Sequence, residues 1–579
     1  MKKDLTGFAA AAAGALLGFL IAPSFEGGIS LFMKRFASYS FAAPRFCSET
    51  FPCVLFFTAA AFILVQLLRE ETGLRTRYGE EHGSAAWADL KKIAQRYRQT
   101  PDGKIMTQHV AVDLDAHRHR RNLNTIVCGG SGAGKTRYFC LPNILQANAS
   151  YFILDPKGEL IRSTGGFLQK KGYSVRVLDL IDMDKSCCYN PFFYLSGEND
   201  VQKMVTNLFR STEKTGAKSS DPFWDTAAQM LLLALIFYLL YEAPQEDRNF
   251  GSVMALLRCG MNAGEGTRKS ALDLIFEDLE KRDPAHIALK YYRAYRAGSD
   301  KTLKSIQITL ASRLEKFNLD SVDRLTRTDE LHLEEMGQKK TAVFACIPDN
   351  DSSFNFLVSM LYTQLFQQLF YQADHEKNGR LKVPVHFLMD EFANIPVPPD
   401  FEKILSVMRS RGIFVSIILQ NMAQLKALFE KQWESIVGNC DTLLFLGGNE
   451  KETHRYLSDM LGKETLKVQS HTRSRTGGSV NYSTIARELL SGDEIRMLPD
   501  DEALLFIRGE RPVRDRKYDL TSHPGIAGTV QGGAPLYDHG ALTHCAARIV
   551  ETQGEAQFIP YEETFYELID EEQTKEEFG

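Results

Sequence analysis

A chain of 579 residues exceeds the roughly 100 to 200 residues of one domain, so two or more domains around a large buried core are expected. Hydrophobic residues at 44% and charged residues at 24% exclude a disordered or collagen-like chain, and a net charge of -5 excludes a protein that grips a polyanion by overall charge. Ten scattered cysteines without a CxxC pair exclude a small disulfide scaffold and a Cys/His metal module.

The first elements are apolar. Leu5 to Phe25 is a charge-free run of 21 residues and Thr50 to Leu68 another of 19, and each, as a helix, spans roughly 30 Å of hydrocarbon. The Ala-rich first run after Met1-Lys2-Lys3 also fits a cleaved signal peptide. On either reading the second run crosses inward and leaves everything after Arg69 in the cytosol. Arg69, Arg75, Arg77, Lys91 and Lys92 follow it, although Lys34, Arg35 and Arg45 lie in the loop between the runs. The expectation is a multi-pass protein of the cell membrane with a cytosolic body.

From Asn122 onward, short apolar runs alternate with helical stretches, the pattern of an α/β fold whose parallel sheet is covered on both faces. Strands are predicted at Thr125 to Cys128, Tyr151 to Leu154, Val175 to Leu178, Ala342 to Ile347, Val385 to Met389, Phe414 to Leu419 and Thr442 to Phe445; several are unbroken β-branched or aromatic runs. Between the third and fourth, helical signals dominate and no strand emerges, which reads as an all-α insertion. Its run from Phe223 to Tyr241 is interrupted by Asp225 and Gln229 and reads as a core helix rather than a third span. At the far end, Glu562 to Glu577 carries eight acids against Lys575 alone, the composition of a solvated tail. The expected parts are a membrane anchor at 1–70, the two halves of a nucleotide-binding domain at 71–200 and 332–525, the insertion at 201–331, and a C-terminal extension at 526–579.

Gly129-Gly130-Ser131-Gly132-Ala133-Gly134-Lys135-Thr136 fits the phosphate-binding pattern G-x-x-x-x-G-K-[ST] between a strand and a helix. The glycines let successive backbone N–H groups curl around a phosphate, Lys135 reaches the β- and γ-phosphates of ATP, and the Thr136 hydroxyl goes to Mg²⁺. The partner pattern is the apolar run Val385 to Met389 ending in Asp390-Glu391. Asp390 is expected to hold Mg²⁺ through its water shell and Glu391 to orient or deprotonate the attacking water. Arg409 and Arg411, 19 and 21 residues past Asp390, are candidates for an arginine acting across a subunit interface, and Gln420 at the end of the next strand is a candidate γ-phosphate sensor. Catalytic roles thus fall to Lys135, Glu391, Gln420 and either Arg409 or Arg411.

Lys290, Arg293, Arg296, Lys301, Lys304, Arg313 and Lys316 face only Asp300 and Glu315 within their tract, with Tyr291, Tyr292 and Tyr295 interleaved. Cations neutralising phosphates and tyrosines stacking on bases would suit single-stranded DNA; a solvated amphipathic helix has the same composition.

Taken together these residues resemble the type IV secretion coupling proteins, the TraG/TraD-like ATPases of conjugative DNA transfer. Besides the phosphate loop, the similar elements are Asp155-Pro156-Lys157-Gly158-Glu159-Leu160, Asp390-Glu391-Phe392-Ala393-Asn394, Met408-Arg409-Ser410-Arg411-Gly412 and Gln420-Asn421-Met422-Ala423-Gln424-Leu425. The stretch His82 to Ala88 and the turn Asn190-Pro191-Phe192 look like the same family. The resemblance implies a RecA-like P-loop NTPase domain with an inserted all-α domain behind two transmembrane helices, assembling as a homo-hexamer. It also implies partners: a relaxase carrying single-stranded DNA, and the components of a type IV secretion channel. The family often has Ser or Thr after the sensor glutamine, where Asn421 stands here. A double-stranded DNA pump for chromosome segregation shares this engine, and a non-catalytic membrane receptor would carry it as a vestige.

Overall fold

The computed structural model describes residues 2–71, 80–98, 100–212, 222–261, 269–396, 398, 400–474 and 477–542. Two compact units emerge, Met1–Ser84 with Thr465–Ala486, and Ala85–Glu464 with Arg487–Gly579.

In the first unit, helices Lys2–Phe25 and Thr50–Glu71 form an antiparallel hairpin. Gly14 and Gly18, one helical turn apart, make the close approach: a Cβ on Gly14 would lie 2.5 Å from the Phe57 carbonyl oxygen, and one on Gly18 2.6 Å from that of Cys53. Small residues at this spacing let apolar helices pack backbone to backbone where no hydrophobic effect draws them together. Phe8–Phe25 is long and apolar enough to cross a membrane, and Thr50–Val65 is a shorter apolar stretch among residues with described side chains. Two of the three cations between the helices, Arg35 and Arg45, are engaged locally. The Arg35 guanidinium donates to the carbonyls of Pro23 and Ser24, both at 3.1 Å, capping the first helix, and Arg45 pairs with Glu26 at 2.7 Å.

In the second unit the core is a nine-stranded sheet. Its strands are β1 (Thr125–Cys128), β2 (Ser150–Pro156), β3 (Ser174–Asp179), β4 (Thr341–Ile347), β5 (Val385–Met389), β6 (Ile413–Leu419), β7 (Thr442–Phe445), β8 (Glu502–Ile507) and β9 (Val513–Arg516), in the order β9-β8-β7-β1-β6-β5-β2-β4-β3. From β7 to β3 the pairing is parallel; β8 and β9 add an antiparallel edge. Alternate residues feed two cores: Ile126, Phe152 and Leu154 face one, while Val127, Tyr151 and Ile153 face the other. That two-sided burial explains why the strands read as unbroken apolar runs.

Between β3 and β4 the described residues form helices and turns without a strand, from Glu198–Ser211 to Asp320–Arg327. Helix Pro222–Glu242 also meets the length and composition of a membrane span, but ten of its side chains between Ala227 and Leu239 are buried in the protein core. The acidic stretch Glu562 to Glu577 lies outside the described residues.

Candidate functional site

Parallel strands end together, so whatever follows β1, β5 and β6 is brought to one edge. β1 lies beside β6, and β6 beside β5. Gly129 leaves β1 with its N–H on the Leu419 carbonyl at 3.0 Å, and the Gly130 N–H donates to Gly447 at 2.9 Å, so both neighbouring strands pin the loop. Gly132 and Gly134 have φ of +78° and +82°. At Gly134 a side chain would also strike the Tyr138 ring, 2.4 Å from an added Cβ. Ser131 and Ala133 complete the curve into the helical turn that begins at Thr136.

Lys135 folds back on this loop. Its Nζ donates to the Gly129 carbonyl at 2.9 Å and lies 3.9 Å from Glu391 Oε1. Thr136 Oγ1 donates to Asp390 Oδ2 at 3.2 Å, and the Glu391 N–H donates to Asp390 Oδ1 at 3.0 Å. Burial, then the charge of Glu391, push the Asp390 carboxyl above its usual range, against Lys135 and these two hydrogen bonds. Glu391 sits in the left-handed region at φ +51°, a conformation that costs an ordinary residue about 1 kcal/mol or more and turns its carboxylate from the strand line toward Lys135. Gln420, at the end of β6, donates Nε2 to both Glu391 oxygens, at 3.1 and 3.3 Å. Asn421 accepts from the Gln424 N–H at 3.0 Å and caps helix Met422–Phe429, work that Ser or Thr does equally well.

A third carboxyl lies close by. Asp155, at the end of β2, accepts the Ile161 N–H at 2.8 Å and is pushed up to about 7, chiefly by burial, with Asp390 adding to the shift. Carboxyls this crowded, with Lys135 as the nearby cation, leave negative charge for a further cation to offset. A hydroxyl and a carboxylate as the nearest donors suit a hard, oxygen-seeking ion such as Mg²⁺.

Arg409 is not at this edge. It is exposed near the end of helix Phe401–Arg411, before the start of β6, and the length of that strand, roughly 20 Å, separates it from Gln420. Its guanidinium has no hydrogen bond or ion pair among the described residues. Arg411 is committed: it pairs with Asp374 at 2.8 Å and stands over the Phe370 ring.

The basic tract is divided by the fold. Tyr292 stacks on Phe276 at 3.8 Å and donates to Asp273, and Tyr295 is buried beside it, so two of the three expected base-stacking tyrosines are core residues; the third, Tyr291, is half-buried and stacked on Phe237 at 5.5 Å. The reason is spacing: Leu289, Tyr292 and Tyr295 form the buried stripe of helix Ile287–Arg296. Arg293 pairs with Glu280, and Arg296 with Asp273. Lys290, Lys301 and Lys304 are exposed without side-chain partners among the described residues.

One residue at the loop escaped sequence reasoning. Lys517, just past β9, is buried, donates to the Ala133 carbonyl at 3.1 Å and stands over the Tyr138 ring at 5.2 Å. No local pattern marks a lysine that meets its partner 384 positions away.

The fold and site define a P-loop protein on a RecA-like sheet. The model of the family described as type IV secretory system conjugative DNA transfer matches residues 83–520, and the chain belongs to that family of coupling proteins. Protein VirD4 of Rhizobium radiobacter is 22% identical over 489 residues, 81% of this chain and 67% of that protein. Conjugal transfer protein TraG of Escherichia coli is 24% identical over 487 residues, 75% of this chain and 74% of that protein. Among solved structures, the unbound conjugative coupling protein TrwBΔN70 superposes with a TM-score of 0.56 at 16% identity, covering 77% of this chain and 95% of that one. TrwB in complex with ADP and Mg²⁺ superposes at 0.53 with 18% identity, over 75% and 93%. At these identities the structures speak for the fold.

Proposed function

We propose that this chain is a membrane-anchored ATPase that recruits a relaxase bearing single-stranded DNA and drives it to a type IV secretion channel. The observation that carries the reading is the connected set Thr136–Asp390, Lys135–Glu391 and Glu391–Gln420 at one sheet edge. TrwB, of the same fold, has been seen with ADP and Mg²⁺ and with a non-hydrolysable ATP analogue, which supports ATP as the ligand of this edge.

Lys135 exchanges its loop carbonyls for the β- and γ-phosphates, and N–H groups of the loop beyond Gly130, up to Thr136, surround them. Thr136 and Asp390 would hold Mg²⁺, which supplies charge neutralisation at the phosphates. Glu391, freed from Lys135 as that lysine turns to phosphate, takes a proton from the attacking water, while Gln420 fixes its carboxylate and senses the γ-phosphate. Arg409 is too far from its own loop and has no ion pair among the described residues, so it serves the loop of a neighbour in a hexamer; such an arginine contributes about 10³ to 10⁵ in rate. The Gly14/Gly18 hairpin anchors the assembly in the membrane, and the local pairing of Arg35 and Arg45 reduces their weight against a cytosolic ATPase body. Lys290, Lys301 and Lys304 remain the DNA-contact candidates, acting on phosphate rather than base.

Glu391→Gln tests this assignment. The variant is expected to bind ATP normally and to lose turnover by about 10² to 10⁴; unchanged turnover would remove Glu391 from the chemistry.

A further inference from the structure

The first compact unit contains more than the two apolar helices. Strands Lys463–Ser474 and Gly477–Glu488 form a two-stranded ribbon of twelve residues per arm. From Lys467 to His471, and from Val480 to Ser483, every residue is exposed. The exposed side chains of the ribbon include large apolar ones: Val468, Val480, Ile485, and Tyr482 at 72%. A lone two-stranded ribbon is marginal in water, and an exposed apolar one invites wrong pairing unless something covers it.

Charge indicates what that is. Between Thr465 and Ala486 the sequence carries Lys467, Arg473 and Arg475 with no Asp or Glu, in a chain whose net charge is -5; Glu464 and Glu488 stand at the far ends of the strands, and Arg487 is taken by Glu494 at 2.6 Å. The ribbon is also tied to the membrane-following segment. The N–H groups of His82 and Gly83 donate to Thr465 Oγ1 at 2.9 and 3.2 Å, that hydroxyl donates to the Gly83 carbonyl at 3.0 Å, and the His82 ring meets the Thr484 carbonyl at 3.1 Å. His82 is eleven residues beyond Glu71, the end of the second apolar helix, a tether of at most about 38 Å.

We infer that this ribbon docks on the anionic lipid headgroups of the leaflet from which the second helix emerges. The inference rests on the membrane-anchored reading above. Cations near such a surface contribute about 1 kcal/mol each, and tyrosine favours the interface. Tyr482 suits a base as well as a lipid interface, but Val468, Val480 and Ile485 favour lipid: they offer nothing for a base to stack on, whereas a lipid interface accepts aliphatic and cationic side chains together.

The test uses the full chain in nanodiscs of phosphatidylcholine alone or with about 30% phosphatidylglycerol, reading amide hydrogen exchange over 465–487. Exchange about tenfold slower in the anionic discs is expected, and lost in the double variant Lys467→Glu, Arg473→Glu, whose retained ATP turnover reports an intact fold. Equal exchange in the two lipids, for protein that co-elutes with its discs, overturns the docking and leaves the anchor standing. Failure to co-elute with either disc overturns the anchor as well. Protection that arises only when a single-stranded oligonucleotide is added, whatever the lipid, reassigns the ribbon to nucleic acid.

Discussion

Gln420 donates one side-chain amide to both oxygens of Glu391, at 3.1 and 3.3 Å, across the gap between β6 and β5. Hydrogen bonds to a charged group contribute about 1.5 to 3 kcal/mol. Gln420→Ala is therefore expected to lower kcat for ATP by about 10- to 100-fold with little change in KM, because the carboxylate loses its orientation while the phosphate loop is untouched. Steady-state kinetics check this; a rise in KM alone would make Gln420 a binding residue.

Asp155 gives a pH dependence of unusual sign. Its folded carboxyl is pushed up to about 7, above the ordinary value near 3.9. Between those values the unfolded chain has released the proton that the folded chain still holds, so this group lowers stability as pH rises from about 4 to 7, by about 1.4 kcal/mol per unit at most. Asp155→Asn keeps an acceptor for the Ile161 N–H and removes the titration. The variant is expected to match the parent in melting temperature near pH 4.5 and to exceed it at pH 8, without nucleotide. A gap of constant size across that range would show that Asp155 is ionised throughout.

Arg409 and Lys135 offer a test of action between subunits. Lys135→Ala and Arg409→Ala chains are each expected to be inactive alone. Mixed in equal amounts, about a quarter of interfaces pair an intact loop with an intact arginine, and turnover is expected to recover toward that fraction. Mixed oligomers without recovery would place Arg409 in its own subunit's function.

Much of this was legible in the chain itself. β1 and β5 run where their apolar residues run, from Thr125 to Cys128 and from Val385 to Met389, because both faces are buried and a Gly or a carboxylate closes each. Lys135, Thr136, Asp390, Glu391 and Gln420 meet because their strands are neighbours, a consequence of sheet order. β8 and β9 were missed: Glu502 to Ile507 is no longer than a helical turn or two, and Val513-Arg514-Asp515-Arg516 hides one half-buried face behind charge. Lys517 was lost with them. Tyr292 and Tyr295 show the converse failure, since composition suggested a stacking surface where their spacing with Leu289 gives a buried stripe.

The most direct measurement is ATP turnover by the full chain in nanodiscs, with single-stranded DNA, before and after Lys135→Ala. Loss of at least about 100-fold, with DNA still bound, is the expected result, since the loop keeps its glycines but loses the cation that meets the phosphates. Turnover unchanged by Lys135→Ala would contradict an ATP-hydrolysing engine at Gly129 to Thr136.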